Sequence, residues 1–209
     1  MTASYATQAQ EKHDRRYEDY PRVSRKGTLL SGENRTAMTV LGKMDRDTVG
    51  AVTAGGGNTG NGVPGTATLG KLAEVGTYTL TCVETATNAG RFSVVAPSGA
   101  RLPDLTVAVA YAGDHINLTI ADGATDFAVG DTFTIAVSGT GKYKMSLAAA
   151  VDGSQDPDAI LVEDTDATGG DKEAMLHVAG HFVEGDLTIG TGHTAASIRE
   201  GLRVKGIHI

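Results

Sequence analysis

The chain has 209 residues, 40% of them hydrophobic, enough apolar matter for one large or two small packed cores. A net charge of −7 speaks against a nucleic-acid partner, because an acidic surface repels phosphates. A lone cysteine, Cys82, excludes an internal disulfide framework, and no apolar run reaches the roughly 18 residues of a membrane span.

The charge is unevenly spread: residues 1–27 hold six Lys/Arg against four Asp/Glu, leaving −9 on the remainder. The opening text "MTASYATQAQEKHDRRYEDY" is polar, without a signal-peptide pattern or a hydrophobic period. Residues 1–24 are therefore expected to form an extended arm on a protein made in the cytoplasm. Tyr17, Tyr20, Pro21, Arg22 and Val23 are its candidate contact residues, since Tyr and Arg are the types that most often anchor interfaces.

"TLLSGENRTAMTVLGKM" reads as strand, turn, strand, with Gly32-Glu33-Asn34 supplying the turn. Next comes "TAGGGNTGNGVPGT", Thr53 to Thr66. A phosphate-binding loop needs a Lys and a helix straight after its glycines. Here no Lys follows until Lys71, and Pro64-Gly65 interrupts a helix start, so a flexible seam is expected.

Strand patterns then follow at roughly ten-residue spacing: "TYTLTCV", "RFSVV", "LTVAVAY", "INLTI" and "TFTIAV". In the first, Tyr78, Leu80 and Cys82 alternate with threonines, the mark of a half-buried strand. Residues 53–139 are expected to be a self-contained β-sandwich with an immunoglobulin-like rhythm. Beyond Gly139, "GKYKMSL" alternates Tyr143, Met145 and Leu147, and "AMLHVAGHFV" reads as a longer strand broken at Gly180. Near the end, Thr194 can cap a short helix with Ile198 and Leu202 on one face and Gly206 at its stop. The fold class is thus mainly β with one short C-terminal helix.

Templates for chemistry fail in turn. No serine sits in a Gly-x-Ser-x-Gly frame. Cys82 shares a face with Tyr78 and Leu80, as a packed thiol would. His177 and His181 are four apart, about 13 Å in a strand and too far for one ion. In "DTDATGGDKEAM", Asp164, Asp166 and Gly169 fit a calcium loop, but Thr168 and Met175 stand where ligands are required. Asp122 and Asp126 are a carboxylate pair of the kind a polysaccharide hydrolase uses, in a segment that reads as a turn. No catalytic residue, cofactor-binding residue or metal ligand is assigned, and an enzyme is not expected.

Joined across the β module, the two ends of the chain resemble the lambda-type head decoration, or capsid-stabilising, proteins of tailed bacteriophages. The resemblance rests on "VLGK" at Val40–Lys43, "DGSQDPDAILVEDTDATGG" at Asp152–Gly170, and the "MLHVAGHF" strand that follows. It covers residues 28–50 and 140–209. It implies a homotrimer on the outer surface of the expanded head, at local three-fold positions, clamping the major capsid protein against the pressure of packaged DNA. Compact members run almost directly from "VLGK" to "GKY", so here residues 25–52 and 140–209 would form one discontinuous decoration domain. Residues 53–139 would be an insert, hinged at the glycine-rich stretch and at Ser138–Lys142. The alternative is an adhesion or carbohydrate-binding module, the insert taking a host-surface ligand; an unrecognised hydrolase is third.

Overall fold

The computed structural model describes residues 21–209, so Tyr17 and Tyr20 lie outside the described residues. The first strands are β1 (Val23–Leu29), β2 (Asn34–Arg35), β3 (Val40–Lys43), β4 (Thr48–Val49), β5 (Thr53–Ala54) and β6 (Thr68–Leu69). Then come β7 (Gly76–Glu84), β8 (Arg91–Val95), β9 (Arg101–Thr106), β10 (Tyr111–Ala112), β11 (Ile116–Leu118) and β12 (Thr132–Ser138). The chain closes with β13 (Tyr143–Met145), β14 (Pro157–Leu161), β15 (Thr165–Asp166), β16 (Lys172–His181), the helix α1 (Ala195–Val204) and β17 (Ile207–His208). The expected class, mainly β with one C-terminal helix, is what the chain forms.

Five strands close on themselves in the order β1-β13-β3-β14-β16 and back to β1. The period of two along β3 and β14 explains how one sheet serves two cores. Leu41, Ala159 and Leu161 point inward with Leu29, Tyr143 and Leu176. Their neighbours Val40 and Ile160 point outward, against Phe182, Ile198, Leu202 and Ile207. Helix α1 covers that outer cluster. Thr194 accepts from the Ser197 N–H while the Ser197 hydroxyl takes the Thr194 N–H, so both ends of a capping box are made.

The strings "VLGK" and "DGSQ" meet in space. A Cβ on Gly42 would lie 1.9 Å from the Ser154 carbonyl oxygen, so only glycine lets these backbones cross. Asp152 accepts from the Ser154 N–H and hydroxyl and pairs with Lys144. The expected alternation of Tyr143, Met145 and Leu147 stops early. Ser146 takes the inward position, its hydroxyl 3.3 Å from the Gln155 carbonyl, and Leu147 turns outward.

Residues 48–138 build two further sheets around one core. Strands β12, β7, β8 and β9 lie side by side, with β4 and β5 on the outer edge of β12, and β10-β11-β6 form the second sheet. Three consecutive strands followed by a fourth beside the first is the Greek-key order common among sandwiches. Tyr78, Leu80 and Cys82 are fully buried, as their alternation predicts. Phe92, Phe127 and Phe133 pack around one another with centroids 5.1 to 5.7 Å apart. "LTVAVAY" is not one strand: β9 begins earlier, at Arg101, and the chain turns at Ala108, which has φ 61°.

The glycine-rich stretch is not a free hinge. The Asn58 amide pairs with Thr132 as a strand would, donating to its carbonyl and accepting from its N–H, both at 2.8 Å. The buried Asp131 carboxylate accepts from the N–H groups of Thr59, Gly60 and Ala128 at 2.8 to 3.0 Å. The chain instead passes between the sheets at Asp45–Asp47 and Gly139–Lys142. There the Asp47 carboxylate takes both the N–H and hydroxyl of Thr140. Met44 and Lys142 are joined by a backbone bond of 2.8 Å.

Burial alone would raise the Asp131 carboxyl, but the backbone donors outweigh it and hold it below its ordinary value. With its folded pKa depressed, its contribution is complete above about pH 4, the unfolded Asp range, and fades as pH falls further. Asp131→Ala leaves three partly buried donors to water and should cost roughly 1–2 kcal/mol of unfolding free energy. Chemical denaturation at pH 7 and pH 3 checks both points: the gap between wild type and variant should narrow at the lower pH.

Candidate functional site

The described part of the arm, Pro21 to Val23, meets the barrel where β16 ends. Val23 pairs with Ala179, and the register shifts between Val23 and Ser24. The Arg22 guanidinium sits 4.9 Å from the centroid of the Phe182 ring. Phe182 is itself fully buried among Ile198, Leu202 and Ile207, so the helix core fixes the ring on which Arg22 lies. Gly180, read from sequence only as a break in the strand, is where the arm crosses. A Cβ there would stand 2.9 Å from Arg22 Cγ and 3.2 Å from Arg22 Cα, and φ is 140°.

Following residues pin β1 to its neighbours. The Ser24 hydroxyl lies 2.9 Å from His177 Nδ1. Arg25 reaches the Tyr143 hydroxyl and stands 3.5 Å from Asp158. Tyr143 donates to Asp158 at 2.8 Å, and Lys205, just past α1, donates to its other oxygen at 2.8 Å. Burial pushes the Tyr143 phenol up to about 12, with the Asp158 carboxylate adding to the rise against Arg25. Burial would raise Asp158 too, but Lys205, Tyr143 and Arg25 hold it below its ordinary value. One carboxylate therefore ties together β1, β13, β14 and the end of α1.

The other edge of β1 is, among the described residues, largely unpaired. It meets β13 only at Leu29, whereas β16 runs beside it from Val23 to Leu29. Among the described residues, exposed apolar side chains on this part of the molecule include Val23, Val183 and Val204. Of the five arm candidates, Arg22 and Val23 are thus brought onto a sheet edge, and Pro21 directly precedes them. Sequence reasoning missed Ser24, Arg25, Phe182 and Asp158; Gly180 inside an apolar strand was the one signal that could have found the crossing.

Most residues weighed for chemistry have other occupations; Asp122 is the exception, its Oδ1 buried without a hydrogen-bond partner among the described residues. His177 packs on Phe182 at 5.3 Å, and His181 stacks on His208 of β17 at 4.6 Å. The acidic run is a set of turn anchors: Asp164 accepts from the Ala37 N–H, Asp166 from Thr168, and Asp171 from the Ser31 N–H while pairing with Lys142. Asp126 accepts from the Asn88 N–H at 3.0 Å. Among the described residues no three His, Cys, Asp or Glu side chains converge as metal ligands, and no helix is long and apolar enough to cross a membrane.

Burial, then the neighbouring Arg22 charge, lowers the His177 pKa. The folded state therefore binds this proton less readily than the unfolded chain, and stability declines as pH falls below about 6.5, the ordinary His value. Arg22→Ala should raise the His177 pKa in an NMR titration. It should also cost about 0.5–1 kcal/mol through loss of the cation–ring contact, read by denaturation.

The family model described as bacteriophage lambda head decoration protein D matches residues 16–207. No curated protein matches the chain. Among solved structures, a crystal form of Xanthomonas campestris FlgL is 21% identical, with 53% of this chain and 34% of that one covered and a TM-score of 0.33. A second crystal form gives 20%, 54%, 32% and 0.32. The chain spans about a third of the length of those proteins, and superpositions this slight define no shared fold.

Proposed function

We propose a function from the premise that the chain belongs to the family of bacteriophage lambda head decoration protein D. The family is a structural one, and membership associates the chain with the capsid of a phage head. The match across residues 16–207 carries this reading, because it includes both the barrel and the root of the arm.

In the finer reading the protein is a homotrimer bound to the outside of the expanded head at local three-fold positions. There it clamps neighbouring major capsid subunits against internal DNA pressure. A ligand that binds only the assembled lattice stabilises that lattice by mass action. The acidic body supports an exterior position, away from packaged DNA. The contact is made by the arm, with Tyr17, Tyr20, Pro21, Arg22 and Val23 as anchors. The open edge of β1 supports this, since an extended segment can add to a sheet edge through backbone hydrogen bonds.

The insert expected at residues 53–139 is proposed as a domain inserted into a discontinuous decoration domain, with its bounds moved to 48–138 because β4 pairs with β12. Its core draws on residues from Val49 to Val137, whereas both barrel cores draw on residues outside that range. A second reading, in which the insert takes a host-surface ligand, is favoured by a cleft on its flank.

Purified protein mixed with expanded heads and imaged should appear as trimers on three-fold positions; bare heads would overturn the proposal. Deleting residues 1–20 should leave trimers that bind heads at least tenfold more weakly, a loss of about 1.4 kcal/mol. Unchanged binding would move the contact off the arm. Replacing residues 48–138 with a short Gly-Ser linker should leave a folded trimer that still decorates heads. Aggregation of that variant, together with absence of cooperative unfolding in the isolated 48–138 segment, would show that the two parts depend on each other.

A further inference from the structure

Beside β9 and the β10-β11 hairpin, the inserted sheets enclose an open cleft of about 600 Å³. That volume lies within the range of small-molecule sites, which combine an apolar lining with a few polar groups that set orientation. Leu72, Leu102 and Pro103 supply the apolar wall. Tyr111, Asp114, His115 and Asn117 supply the polar groups.

Two of these groups are held in place from behind. Asn117 Oδ1 accepts from the Gly113 N–H at 2.9 Å, which directs the amide nitrogen of Asn117 away from that bond. His115 Nδ1 lies 3.3 Å from the Tyr78 hydroxyl, which leaves the opposite ring nitrogen for the cleft. Tyr111 belongs to the core of the inserted sheets and lines the cleft only with the small part of its side chain that the core leaves exposed.

The charge pattern narrows the occupant. Asp114 is the one formal charge on the lining, a negative one, which opposes phosphates, sulfates and uronic acids. A second cavity of about 610 Å³ shares Leu72 and His115 with the first and continues toward the barrel. Its charged lining residues, Arg46, Lys71, Glu74 and Asp156, balance. An uncharged ligand longer than one ring would reach from the first cavity to the second past the shared Leu72 and His115. Its hydroxyls would meet the Asp114 carboxylate, the Asn117 amide and the His115 ring, and its C–H faces would meet Leu72, Pro103 and Tyr111.

We propose that this cleft binds a neutral oligosaccharide, with Asp114, His115, Asn117 and Tyr111 as the recognition residues. The proposal rests on the second reading above, that the insert takes a ligand at the host surface. It is tested by NMR titration of the full chain with neutral oligomers of glucose, mannose, galactose and N-acetylglucosamine, and with heparin as the anionic control. Amides of Leu72 and of Tyr111 to Asn117 should shift and saturate by about 10 mM with at least one neutral oligomer, and not with heparin. Asp114→Ala and Leu72→Ala, both at exposed positions and therefore expected to fold, should each weaken that binding about tenfold. Their head binding should be unchanged.

Shifts confined to another part of the insert would overturn this site while leaving the insert a ligand-binding module. No shift with any neutral oligomer, binding to heparin alone, or full binding by both variants would overturn the proposal itself.

Discussion

Lys43 of β3 and Tyr143 of β13 are direct neighbours in the barrel, yet the chain makes a long excursion between them. Everything else depends on keeping that pairing. The closure cost of a loop grows only logarithmically with its length, so a long excursion is not forbidden by entropy. It does need its two ends held together. The Met44–Lys142 backbone bond and the grip of Asp47 on Thr140 extend the ladder beyond the last barrel pair. The excursion therefore begins and ends at a single paired point.

Strand β16 has the corresponding role on the opposite side of the barrel. Its ten residues pair with β1 along one edge, and with β14 and then β17 along the other. Asp158 reinforces the arrangement from within, collecting Arg25, Tyr143 and Lys205 around one half-buried carboxylate. Such a charge is stable there because two donors, Tyr143 and Lys205, and the nearby Arg25 cation replace the water it has lost.

Much of this was legible in the sequence where the physics is local. The alternation of Tyr78, Leu80 and Cys82 gives a strand and its buried face, and Thr194 with Ile198 and Leu202 gives a capped amphipathic helix. Long-range partners were not legible. Nothing near Thr53–Thr66 reveals that Asp131, more than sixty residues later, would fasten its glycines, so composition suggested freedom where hydrogen bonds impose order. The inward turn of Ser146 is similar, since its partners Gln155 and His193 come from separate loops. At the arm, residue types marked Arg22 and Val23, whereas the aromatic platform of Phe182 follows from tertiary packing alone.

The two openings of the barrel are separated by the length of one strand. Residues 21–23 enter where β1 begins, and the excursion departs where β1 ends, at Leu29 beside Tyr143. Seven residues of strand put about 20 Å between those points. The arm's root and the paired point of the excursion are thus held apart by a strand whose length the hydrogen-bonded ladder with β16 fixes, so the barrel sets the distance between the two places where the chain enters and leaves it.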